Sequence, residues 1–141
     1  LVKLIHDLDL QDLVTLNNNF IPEDEVLSIL SEYDLIAFPY QSSSESSSAS
    51  VRDGIACLRP VLVTPIPIFS DISGLVDYFP GVSPSDLANG LIDWYERFSN
   101  NSDESFNNIQ IERIRLLDNL RFSKLSQRLF SLIKSLELNH K

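Results

Sequence analysis

Two carboxylates, Glu45 and Asp53, stand eight residues apart around a run of small side chains. Ionised carboxylates only accept hydrogen bonds, and each accepts several, so a pair facing one pocket can hold sugar or ribose hydroxyls. Seven of the nine residues from Ser42 to Ser50 are serine. The first turn of a helix leaves backbone N–H groups unpaired and carries roughly half a positive charge. Ser46, Ser47, Ser48, Ala49 and Ser50 are small enough to let a diphosphate reach such N–H groups, with no lysine required. A plain helix cap with solvent-facing acids accounts for the same residues, and Arg52 can equally pair with a surface neighbour.

Other chemistry is sparse. His6 and His140 lie near the two ends, away from Glu45 and Asp53, so no nucleophile–base–orienter set is visible. The single cysteine, Cys57, sits between Ala56 and Leu58 and reads as a small buried hydrophobe. No disulfide framework or zinc spacing exists, and no metal is expected. A net charge of −9 argues against a nucleic-acid partner, which needs clustered cations. The basic residues between Arg113 and Arg128 recur on a helical pattern and read as a solvated helix face.

The elements that would position the carboxylates follow from apolar spacing. Leu1, Leu4, Ile5 and Leu8 mark a helix face, and Asp12–Asn17 reads as a short strand. After the Asn17–Asn19 turn, Pro22 suits a first-turn position, with Glu23, Asp24 and Glu25 at the positive end of a helix reaching about Tyr33. Leu35–Phe38 is apolar without alternation, predicting a parallel strand buried on both faces. Ala49–Leu58 reads as a helix ended by Arg59-Pro60, Val61–Val63 as a second buried strand, and Leu75–Phe79 as a third. Ser83-Pro-Ser-Asp86 reads as a capping box opening a helix with Leu87, Leu91, Trp94 and Tyr95. Ser99–Asn108 reads as a polar loop, and the chain is helical from Ile109. Its Leu125, Leu129, Leu132, Leu136 stripe is expected to pack on a sheet or neighbouring domain.

Strands alternating with helices predict an α/β fold with a parallel sheet, whose ligands bind beyond the carboxyl ends of the strands. The serine-rich loop leaves one of those ends and is longer than the usual two to six residues. The length of 141 residues fits a single domain, 1–141. No apolar run approaches a membrane span, and no signal peptide is visible. The chain contains no Met and starts within a helical pattern, so it reads as a piece of a longer protein.

The stretch ESSSASVRDGIACLRPVLVTPIPIF resembles the C-terminal, donor-binding domain of retaining GT-B glycosyltransferases. That family's signature is Glu, seven residues, Glu, then an Ala-Cys-Gly-x-Pro-Val-like turn into a strand ending in Thr. Glu45 matches the first Glu, and Asp53 stands in place of the second. Ala56-Cys57-Leu58-Arg59-Pro60-Val61 matches the turn, with Leu58 where glycine is usual, and Thr64 matches the strand end. Upstream VTLNNNFIPEDEVLSILSEYDLIAFPY and downstream SPSDLANGLIDWYERF are similar to flanking family elements.

The resemblance implies a Rossmann-like doubly wound sheet with C-terminal helices, lacking here its first strand and the N-terminal acceptor domain. It implies that Glu45 is the catalytic carboxylate beside the donor sugar and that Asp53 holds the ribose. Ser46, Ser47, Ser48 and Ala49 would hold the diphosphate, and Asn19, Phe20 and Ile21, with Pro39 and Tyr40, would border the base. The implied partners are a nucleotide-diphosphate sugar and, through the missing domain, a glycan or lipid-linked acceptor. The implied setting is glycan synthesis at a cytoplasmic location, with membrane association only through parts outside this chain. Two alternatives remain open: a non-catalytic Rossmann-like binding or assembly domain, and an unrelated doubly wound protein with a phosphate or flavin site.

Overall fold

The computed structural model describes residues 1–45, 47–100, 111, 113–119 and 121–138. Its centre is the apolar triplet Val61–Val63, strand β2, whose three side chains are all buried. A continuous apolar run without polar alternation is what a strand covered on both faces requires. β1 (Ile36–Phe38) and β3 (Asp77–Tyr78) flank it, giving a three-stranded parallel sheet in the order β1-β2-β3. Ile36 aligns with Val61 and Phe38 with Val63, while Leu62 aligns with Asp77. The ladder extends beyond the strands, with the Ile36 N–H donating to the Pro60 carbonyl at 3.0 Å and the Phe79 N–H to that of Val63 at 2.8 Å.

Parallel neighbours need a crossover connection, and between β1 and β2 this is helix α3 (Ala49–Ala56). Val51 and Ile55 are its buried residues, together with Gly54. A Cβ on Gly54 would lie 3.1 Å from the Phe38 ring, so glycine is what lets α3 lie close on β1. The connection from β2 to β3 is a 3-10 helix, Pro67–Ile72. Its Ile68, Phe69 and Ile72 join Val51, Ile55, Val61, Val63, Leu75 and Val76 in one apolar core.

α1 (Val2–Asp7) forms as its spacing predicts, but it buries no residue. α2 (Glu23–Leu30) begins one residue later than expected, with Pro22 as its N-cap and all three acids in its first turn. It ends at Leu30, short of Tyr33. α4 (Pro84–Asn100) takes in Ser99 and Asn100, which the sequence pattern assigned to a loop; residues 101–108 of that loop lie outside the described residues. A helical segment, 113–119, places Leu116 and Leu117 against the core. α5 (Phe122–Leu138) follows.

Four expectations are corrected. Asp12–Asn17 is not a strand: Leu13, Val14 and Leu16 stay exposed, and an apolar run becomes a strand only where a neighbour completes its ladder. β1 is not buried on both faces, because it is an edge strand whose central Ala37 is exposed. The leucine stripe of α5 packs on no sheet within the described residues, since Leu125, Leu129, Leu132 and Leu136 are all exposed, which leaves the neighbouring domain of the two expected coverings. Arg113 does not belong to a solvated face: it is buried, and its guanidinium pairs with Asp77 of β3.

Candidate functional site

Strands β1 and β2 end side by side, and a tie between them fixes that end. The Thr64 hydroxyl, fully buried, donates to the Tyr40 carbonyl at 2.5 Å. The Thr64 N–H donates to the Phe38 carbonyl at 3.4 Å. The Tyr40 ring lies 5.5 Å from that of Phe69 and edge-on to Phe38, so this ring is part of the packing. Pro39 between them is exposed.

From this edge the serine-rich loop leads into α3. Ser48 is the N-cap, with extended backbone, and its hydroxyl accepts from the Val51 N–H at 3.4 Å. An extended cap residue with a short oxygen-bearing side chain is the standard means of starting a helix. Ser48 is buried, whereas Ser47, Ala49 and Ser50 are exposed, so the first turn of α3 opens to solvent at the carboxyl edge of the sheet. Ser46 lies outside the described residues.

Asp53 follows one turn into α3 and is exposed. Its carboxylate forms no ion pair among the described residues, while its backbone carbonyl accepts from the Cys57 N–H and thiol. Glu45 is also exposed; its N–H donates to the Ser43 hydroxyl at 3.1 Å, which shapes the loop ahead of the cap. The geometry leaves both carboxylates available to a ligand.

Asn19, Phe20 and Ile21 precede α2, which packs on α3. The Cys57 thiol meets the Leu27 carbonyl, and the Arg59 Nε–H donates to the Ser31 carbonyl at 2.8 Å. The carboxyl ends of α2 and α3 therefore lie together. The Asn19 N–H donates to the Asn17 side chain at 2.9 Å, a local turn that carries the chain into Phe20. Phe20 is 92% exposed, an aromatic face offered to solvent beside the start of α2.

Arg52 is the cation that the spacing of the two carboxylates did not single out. Its guanidinium donates to the Ser48 carbonyl at 2.8 Å and pairs with Asp71, the surface pairing open to it from the sequence. It therefore stands against the cap of α3 on the side away from α2. A cavity of about 360 Å³ lies there, lined by Arg52, Ile55, Asp71, Ile72, Leu75, Leu117 and Leu125. A cation one turn after a cap is a usable signal, because side chains at i and i+4 reach the same helix face.

Cys57 is a structural thiol. Burial, with the nearby Asp53 charge, pushes its pKa above the ordinary 9.0, which disfavours the thiolate. No group of three or more His, Cys, Asp or Glu among the described residues could hold a metal ion. No helix among them is long and apolar enough to cross a membrane. The fold and site define an α/β protein with a parallel sheet and an open helix start at its carboxyl edge. No protein-family model, curated protein or solved structure matches the chain.

Proposed function

We propose that this chain is the donor-binding part of a retaining glycosyltransferase, a Rossmann-like half of a GT-B fold, which takes a sugar from a nucleotide-diphosphate donor. The observation that carries the reading is the open start of α3. The open first turn of α3 follows β1, Asp53 stands exposed one turn further on with no ion pair among the described residues, and Phe20 is exposed ahead of α2. Helix N–H groups suit a diphosphate, a free carboxylate suits a ribose diol, and an exposed aromatic suits a base. Glu45, in the loop ahead of the cap, is then the carboxylate nearest the sugar. Pro39 and the Tyr40 backbone form the floor under the base, and Ser47 to Ala49 hold the diphosphate. Arg52 adds a cation beside that turn, shared with Asp71.

The test is calorimetry of the chain with UDP, GDP and ADP, repeated with Asp53→Ala. Micromolar binding of one nucleotide, lost on substitution, supports a donor site and names its base. Absence of binding by all three, in a protein that melts cooperatively, favours the non-catalytic binding or assembly domain.

A further inference from the structure

The charge of this chain is divided along its length. Before Arg113 there are four Lys or Arg against eighteen Asp or Glu; from Arg113 onward there are seven against two. The basic part includes α5, which runs for 17 residues. Phe122, Leu125, Leu129, Leu132, Ile133 and Leu136 fall on one helical face, and each is at least 44% exposed. A helix of this length is marginal in water on propensity alone, so an uncovered apolar face of this extent calls for a partner.

What flanks the stripe indicates the partner. Arg128 borders it and forms no ion pair among the described residues, while Lys124 beside it pairs with Asp118. With Asn119, Gln127 and Ser131, these two cations line an open surface depression of about 510 Å³. Two cations with amide and hydroxyl donors suit a phosphate-bearing headgroup, which would take the place of the Asp118 carboxylate at Lys124. The remaining face of α5 carries the small hydroxyls of Ser123, Ser131 and Ser135, and Lys134 lies over the Phe130 ring at 4.8 Å. An apolar stripe, a cationic flank and a small polar back are the features of a helix lying in a membrane interface. The acidic body opposes approach to an anionic surface by any other side, which fixes the orientation.

We propose that α5 docks on an anionic lipid surface, with its leucine face in the acyl boundary and a lipid phosphate between Arg128 and Lys124. The proposal stands independently of the nucleotide site. It is tested by flotation of the full chain with neutral phosphatidylcholine vesicles and with vesicles containing about one-third phosphatidylglycerol. The expected result is binding at least about tenfold tighter to the anionic vesicles, weakening as salt is raised. Leu129→Asp abolishes binding, and Arg128→Glu removes the preference for anionic vesicles while circular dichroism stays unchanged. Both positions are exposed, so both variants fold. Failure to float with anionic vesicles overturns the proposal, as does equal binding to both vesicle types. A dimer in light scattering that Leu129→Asp dissolves, without vesicle binding, overturns it in favour of a second copy as the occupant.

Discussion

The guanidinium of Arg113 is buried against the edge of the sheet and donates to the Asp77 carboxylate at 3.1 Å. Arg113 lies in the helical segment that includes residues 113–119 and Asp77 opens β3, so one ion pair joins this segment to the last strand. The Arg113 side chain is 8% exposed and that of Asp77 37%. Deleting one partner of such a pair leaves a desolvated charge without compensation, whereas an apolar replacement of the buried member removes the desolvation cost as well. Asp77→Ala is therefore expected to cost about 2 kcal/mol, below the range for fully buried pairs because Asp77 is partly solvated. Arg113→Met should cost less. Urea unfolding of both variants checks the order, and a larger loss for Arg113→Met would show that the guanidinium contributes more than its desolvation costs.

This pair also marks where sequence reading stops. β2 and the start of α3 were legible because their signals are local, an unbroken Val-Leu-Val run and a serine able to cap. The end of α3 was not, because the helix stops at Ala56, ahead of the expected Leu58, and the chain turns at Leu58 with positive φ. The Ser83–Asp86 box was legible from local signals too, and the structure shows both of its reciprocal hydrogen bonds. The partner of Arg113 is 36 residues away, and no spacing rule connects them. Asp12–Asn17 has strand-like residues, but a strand exists only in a ladder, and that depends on what lies beside it. At the candidate site, a helix cap in the serine run could be read from the chain, whereas the sequence left Asp53 open between a pocket and solvent, and the structure has it exposed. The role of Arg52 beside the cap, and the use of the Tyr40 ring in the core, depended on the positions of Asp71 and Phe69.

Gly90 lies in α4 against the end of β3. A Cβ there would come within 2.6 Å of the Phe79 ring and 3.1 Å of Pro80. Two effects compete in Gly90→Ala. Helix propensity favours alanine by about 1 kcal/mol. Overpacking against a ring that is itself buried costs about 1–3 kcal/mol, because Phe79 has little room to move. The clash should win, and the melting temperature should fall. A rise would mean that α4 slides outward without loss of packing.

Leu58 ends α3 in the left-handed region, with φ of 58°, and its N–H donates to the Ile55 carbonyl at 3.0 Å. This is the position just past a helix where glycine is common, since any Cβ there is strained by about 1 kcal/mol or more. The side chain is 40% exposed, so truncation forfeits only part of a leucine's burial. Leu58→Gly is expected to melt at or above the parent's temperature, and Leu58→Val well below it, because branching at Cβ worsens the strain. If the valine variant proved the more stable, packing rather than backbone geometry would govern this turn.

Asp86 gives the stability a defined acid limb. Its carboxylate accepts from the Ser83 hydroxyl at 2.6 Å and the Ser83 N–H at 3.0 Å, and these bonds hold its pKa below the ordinary 3.8. Deprotonated Asp86 also faces the positive end of α4. A group whose folded pKa is depressed contributes fully above its unfolded value, and the contribution fades as pH falls from there through the folded one. Asp118 is depressed as well, through Lys124, so the pH dependence of the parent alone mixes the two. The difference between the parent and Asp86→Asn isolates the cap. That difference should be constant above pH 5, roughly one unit clear of the unfolded value, and shrink in stronger acid. A carbon-13 titration of the Asp86 carboxyl with a midpoint at or above 3.8 would show that the box does not hold the charged form in solution.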